Sequence, residues 1–331
     1  MIPGADVPLL SVELCAGAGG QALGLEQAGF SHMAAIDNDE WAVATLQQNR
    51  PHWNAQLADL RSVHGADYRD VDLVAGGPPC PPFSIAGKQL GAEDDRDLFP
   101  AAIQIIADAR PRAVMLENVP GLASARFAEY RKLLRAQLTK LGFTYVDGRV
   151  LNACHFNVPQ LRPRYVLVAL KGDAARRFRW PQGMMTRRTV GSELRDLMAQ
   201  NGWPGAVVWA KRANAVAPTL VGGSKKHGGP DLGPTRAREA WRALGVDGLG
   251  IANAAPEKDF PTDGLPKITQ RMAARIQGFP DEWAFAGRKT AAYRQVGNAF
   301  PPPVACAVGT AIRQALLGVS EPVELLELAA S

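Results

Sequence analysis

The chain has 331 residues, 47% hydrophobic and 21% charged, a balance that excludes a disordered or fibrous protein and suits one large domain or two modest ones. Lys and Arg outnumber Asp and Glu by 37 to 32, and the resulting pI near 9.1 is compatible with a polyanionic partner without requiring one. Met1 to Leu14 lacks the basic start and apolar run of a secretion signal, and the apolar stretch from Val304 to Ile312 is too short to span a bilayer, so a cytoplasmic protein without membrane association is expected.

Pro8 to Leu14 (PLLSVEL) is the first predicted strand, and the glycine-rich segment ELCAGAGGQALGLEQAGF runs on from its end. Gly17, Gly19 and Ala22 have the G-x-G-x-x-A spacing that lets a backbone approach a nucleotide at a helix N-terminus. His32 to Ile36 reads as a second strand. It leads to Asp37, 20 residues after Gly17, where a carboxylate can accept hydrogen bonds from ribose hydroxyls. On these residues alone the ligand is NAD, FAD or S-adenosylmethionine, or the segment is a tight turn with no ligand.

Val71 to Gly76 is the third predicted strand, and GGPPCPPFSIAGK follows it. Pro78, Pro79, Pro81 and Pro82 restrict the backbone around Cys80, which is how a nucleophile is held ready for covalent catalysis; a free cysteine is otherwise a small buried hydrophobe. That second reading is preferred for Cys15, Cys154 and Cys306. The four cysteines are scattered with no Cys-x-x-Cys pair, so neither a disulfide framework nor a metal site is expected.

Ala113 to Val119 and Arg164 to Leu170 complete the predicted strands. Between them Phe127, Tyr130, Leu133, Leu134, Leu138 and Leu141 recur at helical spacing, with Gly142 as the stop. Strands alternating with helices predict a doubly wound α/β fold with a mostly parallel sheet, whose ligands bind at the carboxyl ends of the strands. Asp173 to Pro266 is rich in Gly, Pro, Arg and Lys and reads as a second, smaller, irregular domain. Helical patterning returns in QRMAARIQGF and PVACAVGTAIRQALLG. The expected division is therefore a catalytic domain over 1–172, a recognition domain over 173–284, and a segment over 285–331 that returns to the first domain.

These residues resemble the DNA cytosine methyltransferases that modify carbon 5 of the base. CAGAGG resembles their S-adenosylmethionine loop, GGPPCPPFSIAGK their nucleophile segment, ENV (Glu117 to Val119) their acidic motif and PQLRPR (Pro159 to Arg164) their Gln-x-Arg-x-Arg motif. RMAARIQGFP and YRQVGNAFPPPVA resemble the last two motifs, and the six matches run in order along nearly the whole chain. The resemblance implies a Rossmann-like S-adenosylmethionine-dependent enzyme, with Cys80 as nucleophile and Glu117, Arg162 and Arg164 as its catalytic partners. It implies cofactor contacts at Ala16, Gly17, Gly19, Gly20, Asp37, Asp59, Leu60, Pro79 and Asn298. Three positions depart from the family pattern: Gln21 replaces an aromatic or apolar residue, Asp37 a glutamate, and Pro81 a glutamine.

Carbon 6 of a paired cytosine cannot reach a buried thiol, so the resemblance implies a double-stranded DNA substrate whose target base is flipped out. The polar segment after Cys80, with Ser84, Lys88 and Gln89, is expected to close on DNA. In GGSKKHGGPDLGPTRAR, Lys225, Lys226, His227, Arg236 and Arg238 are candidates for phosphate or base contacts, although such charge runs are commonly solvated faces. The compact chain is expected to act as a monomer in a bacterial restriction-modification system. A cognate endonuclease would share its target, no stable protein partner would be required, and the protein would be cytoplasmic and nucleoid-associated. An RNA cytosine methyltransferase and a catalytically idle DNA-binding regulator are the alternatives.

Overall fold

The computed structural model describes residues 8–80, 97–223 and 230–319. Its centre is a seven-stranded sheet: β1 (Leu9–Leu14), β2 (Phe30–Asp37), β3 (Ala55–Leu57), β4 (Leu73–Gly76), β5 (Ala113–Asn118), β6 (Tyr145–Asn152) and β7 (Pro163–Leu170). The strands lie in the order β3-β2-β1-β4-β5-β7-β6. The pairs from β3 to β5 are parallel, whereas β7 runs antiparallel to β5. The helices are α1 (Gly20–Gln27), α2 (Glu40–Asn49), α3 (Phe99–Ala109), α4 (Ala128–Lys140), α5 (Gly172–Arg177), α6 (Val190–Ala199), α7 (Ala206–Arg212), α8 (Thr235–Ala243), α9 (Gln270–Gln277), α10 (Lys289–Asn298) and α11 (Pro302–Leu317).

Alternation along the strands sorts the two faces of the sheet. Val12 and Leu14 of β1, Val74 of β4 and Val114 and Leu116 of β5 join Phe99, Ile105 and Ile106 of α3 and Leu134 and Leu138 of α4 in one buried cluster. Ser11 and Glu13 point the other way, toward α1: the Ser11 hydroxyl lies 2.9 Å from His32 Nδ1, and His32 Nε2 is 2.8 Å from the Ala22 carbonyl. α4 ends before Gly142, whose φ of +89° stops the helix as its sequence predicts. Leu133, assigned to the apolar face by its spacing, is 54% exposed; the buried stripe is carried by Leu134 and Leu138.

The chain forms two compact units, one of residues 1–151, 163–182 and 305–331, the other of residues 152–162 and 183–304. The first holds the sheet. The second consists of α6 to α10 with loops and isolated bridges among its described residues. Against the 1–172, 173–284 and 285–331 division, residues 152–162 and 285–304 fall in the second unit and 173–182 in the first, and α10 packs on α9.

Within the second unit, Gln160, Arg162 and Gln277 form a fully buried polar network. Gln160 Nε2 donates to Gln277 Oε1 at 2.6 Å, and its Oε1 accepts the Leu220 N–H at 2.9 Å. Arg162 donates through Nη1 to the Leu220 carbonyl at 2.7 Å. Its Nη2 donates to the carbonyls of Gly297 and Ala299 at 2.8 and 2.9 Å. A guanidinium presents several donors in a rigid fork, which is why one side chain can hold three separated carbonyls.

Candidate active site

The carboxyl ends of β1, β4 and β5 carry the first unit's candidate groups. β4 ends at Gly76, where a Cβ would overlap the Leu14 carbonyl, so glycine is required for β1 and β4 to stay this close. The chain then runs through Gly77, Pro78 and Pro79 to Cys80, which is partly buried. Its Sγ–H donates to Asn118 Oδ1 at 3.0 Å, while Asn118 Nδ2 donates to the Pro78 carbonyl at 2.9 Å. Asn118 thus ties the end of β5 to both sides of the proline turn.

Glu117 lies on the opposite face of β5 from Asn118. Arg164 on β7 is diagonal to it across the antiparallel pair, because Glu117 stands opposite Val166. Arg164 Nε and Glu117 Oε1 are 3.0 Å apart, with only 12% and 14% of the two side chains exposed. Burial lowers the Arg164 pKa, and the adjacent Glu117 charge acts to raise it. A Cβ on Gly77 would stand 3.1 Å from Glu117 Oε2, so the second carboxylate oxygen lies over the backbone leading to Cys80.

Cys80 rests as a thiol. Its pKa is pushed up to about 11, by burial first and then by the negative charges of Asp97 and Glu117. Ionisation therefore requires a change in these surroundings when substrate arrives.

The glycine turn lies at the end of β1. Gly17 and Gly19 have φ of +54° and +83°, and Gly19 caps α1. The Gly17 N–H donates to Asp37 Oδ2 at 2.8 Å, and the Asp39 N–H donates to Asp37 Oδ1 at 2.8 Å. The Asn38 backbone N–H also donates to this carboxylate, which with about four acceptor sites can still take a further donor. Burial raises the Asp37 pKa against these backbone hydrogen bonds. Gln21, the first departure from the family pattern, is buried and donates to the Met115 carbonyl at 3.4 Å. Ala16, Gly19, Gly20 and Leu60 are buried, and Pro79 is exposed. Asp59 accepts from the Nε and Nη2 atoms of Arg61 at 3.0 and 2.6 Å, which lowers its pKa to about 2.

Two observations test whether a cationic nucleotide-type cofactor suits this turn. Among the described residues, apart from its chain neighbours, no atom lies within 4 Å of the position a Cβ would take on Gly17, leaving open space over the loop. Glu13, 1% exposed at the end of β1, has a buried Oε2 without a hydrogen-bond partner. The open glycine cradle fits a nucleotide-type ligand, and a positively charged group bound near the Glu13 carboxyl would favour its ionised form.

Arg162, expected beside the base, is wholly buried in the second unit, with its guanidinium directed at the backbone carbonyls described above. It precedes β7, so strand alternation does not pair it with Arg164. Asn298 is exposed at the end of α10, donating to the Gly223 carbonyl at 3.3 Å. Arg236 is exposed on α8, while Arg238 packs against Gly248. Ser84, Lys88, Gln89, Lys225, Lys226 and His227 lie outside the described residues. The structure adds Glu13, Asp97 and Tyr130, which the sequence reading does not single out.

Residues 9–314 match the family described as C-5 cytosine-specific DNA methylase, and the chain belongs to that family. This family is one of S-adenosylmethionine-dependent enzymes that methylate carbon 5 of cytosine in DNA. The type II methyltransferase M.NaeI of Lentzea aerocolonigenes is 55% identical over 309 residues, covering 92% of this chain and 75% of the relative. The type II methyltransferase M.NgoMIV of Neisseria gonorrhoeae is 49% identical over 310 residues, covering 92% and 97%. Among solved structures, the Entamoeba histolytica methyltransferase EhMeth superposes with a TM-score of 0.64 at 16% identity, over 95% of this chain and 99% of that one, a likeness of fold. No helix among the described residues is long and apolar enough to cross a membrane.

Proposed function

We propose that this chain methylates one cytosine within a specific sequence of double-stranded DNA, with Cys80 as the covalent nucleophile. The observation that carries this reading is the placement of the Cys80 thiol on Asn118, next in sequence to the Glu117 carboxylate that Arg164 holds. Thiol, carboxylate and guanidinium at neighbouring strand ends are the set that cytosine activation needs.

Carbon 5 of cytosine is too weak a nucleophile to be alkylated directly. Addition of the Cys80 sulfur to carbon 6 breaks the 5,6 double bond and turns carbon 5 into an enamine-like centre. S-adenosylmethionine, when bound, supplies the electrophilic methyl group. Arg164 engages Glu117 Oε1, and the carboxyl held in this way would meet the exocyclic amine and ring nitrogen 3 and share a proton there as charge develops. Loss of the carbon 5 proton to a water molecule then restores the 5,6 double bond as the carbon 6–sulfur bond breaks and Cys80 leaves as its thiolate.

The glycine turn, Asp37, Asp59 and Leu60 would hold the cofactor, with the Asp37 lone pairs available to ribose hydroxyls. The family resemblance adds Asn298 as a cofactor contact. Arg162 acts as a scaffold for the backbone at Leu220, Gly297 and Ala299.

The second unit reads the DNA sequence, with Lys225, Lys226, His227, Arg236 and Arg238 as contacts, and the segment with Ser84, Lys88 and Gln89 braces the extruded base. The named relatives are type II methyltransferases, which supports a role in protecting host DNA from a cognate endonuclease. A cytoplasmic, nucleoid-associated monomer is the form consistent with that role.

Transfer of labelled methyl from S-adenosylmethionine to unmethylated genomic DNA, with modified positions mapped at base resolution, tests this reading. Label on carbon 5 of cytosine within one short repeated sequence is the expected result. Label that enters RNA and not DNA would overturn it.

A further inference from the structure

A second set of polar contacts links α4 to the backbone that leads into the thiol. The Tyr130 hydroxyl is 2.8 Å from Asp97 Oδ1 and 2.7 Å from Oδ2, so one donor is shared by both carboxylate oxygens. The Phe99 N–H, at the start of α3, also donates to Asp97 Oδ1 at 3.0 Å. Between them, the Leu98 N–H donates to the Pro79 carbonyl at 3.1 Å, and Pro79 is the residue before Cys80. The Tyr130 ring stands edge-on to Phe99 and Phe127, with centroids 5.9 and 6.3 Å away. Cys80, Leu98 and Tyr130 all pack against the same apolar cluster.

A carboxylate and a phenol are costly to place beside such a cluster, and packing alone would be met by leucine and phenylalanine. Asp97 is fixed on either side of Leu98, by Tyr130 and by the Phe99 N–H, and Leu98 is the residue that holds the Pro79 carbonyl next to Cys80. We propose that Tyr130 and Asp97 are positioning residues for Cys80: they hold the proline turn at the angle needed for attack and keep a fixed negative charge beside the thiol. This inference rests on the reading of Cys80 as the nucleophile.

Among the described residues, the charged and titratable groups that face the thiol are Asp97 before α3, Tyr130 on α4 and Glu117 on β5, the last balanced by Arg164 on β7. Asp97 acts against ionisation of Cys80, in keeping with a resting thiol that donates to Asn118. A cysteine kept neutral until substrate binds is slow to be oxidised or alkylated in the free protein.

The test uses the full chain and its Y130F, D97N and D97E variants. Alkylation of Cys80 by iodoacetamide is followed from pH 7 to 11 by peptide mass spectrometry, and kcat and KM are measured for S-adenosylmethionine with genomic DNA. For D97N the alkylation profile moves to lower pH, with a rate at pH 8 at least threefold above that of the parent. D97E, which keeps the charge, retains the parental profile. Y130F lowers kcat, normalised to the folded fraction measured by circular dichroism, at least fivefold with cofactor KM within twofold, so that a general loss of stability is accounted for.

A D97N profile superimposed on the parental one, or an unchanged kcat in Y130F, overturns the proposal. Should D97N fail to fold, the Y130F kcat still decides it. Methylation persisting in C80A would instead overturn the assignment of Cys80 itself, so the two failures are distinguishable.

Discussion

Arg164 Nε meets Glu117 Oε1 at 3.0 Å, joining β7 to β5 by a nearly buried ion pair. A buried pair adds little when intact, but removing one member leaves the other charge desolvated. R164A is therefore expected to lower stability by about 2–4 kcal/mol. E117Q keeps the shape but loses the proton-sharing oxygen, and its kcat should fall by roughly 10²–10⁴. Denaturant titration and steady-state methyl transfer check the two effects separately.

Glu13 gives a pH dependence whose sign follows from its burial. Desolvation first, and then Glu117, raise its pKa well above the ordinary carboxylate value. Above about pH 4.5 the unfolded chain releases this proton while the folded chain retains it, so the native state is progressively disfavoured as pH rises toward the folded pKa. E13Q lacks this titration. Thermal unfolding from pH 4 to 8 should show the stability of E13Q relative to the parent increasing with pH. Parallel curves for the two proteins would contradict the assignment.

Arg162 holds the Leu220, Gly297 and Ala299 carbonyls in the interior of the second unit. A lysine cannot span that fork, and each buried carbonyl left without a donor costs about 1–3 kcal/mol. R162K is expected to lose about 3 kcal/mol or more. Hydrogen exchange should quicken over residues 217–223 and 295–301. Exchange unchanged in both segments would show that the network is not what orders them.

The glycine turn also makes a steric prediction. Gly19 has a φ of +83° where it caps α1, a conformation that costs a side-chain-bearing residue about 1–2 kcal/mol. G19A should weaken S-adenosylmethionine binding more than tenfold while leaving Cys80 alkylation unchanged. Calorimetric titration of the cofactor measures the first effect.

Cys80 and Glu117 were legible in the sequence because their setting is local: a thiol framed by prolines, and a carboxylate at the end of an apolar strand. Asp97 and Tyr130 were not. They lie 33 residues apart, and Tyr130 sits at helical spacing where an aromatic residue reads as core. Arg162 has the same difficulty, since its partners Leu220, Gly297 and Ala299 are 58 to 137 residues away.

For the fold, the five strands with continuous apolar runs were visible. β6 was hidden by its charged and half-exposed positions and by Gly148, whose Cβ would overlap the Tyr165 hydroxyl. The antiparallel direction of β7 is set by how the chain returns to the sheet, and no residue within the strand encodes it.

The central claim is that the Cys80 sulfur bonds to carbon 6 of the target cytosine. An oligonucleotide library containing 5-fluorocytosine tests it directly, because fluorine at carbon 5 cannot leave as a proton and the adduct persists. Incubation with S-adenosylmethionine, digestion and peptide mass spectrometry should find the nucleotide attached to the peptide containing Cys80, and no adduct in C80A. An adduct on Cys15, Cys154 or Cys306, or methylation of ordinary DNA by C80A, would contradict the account.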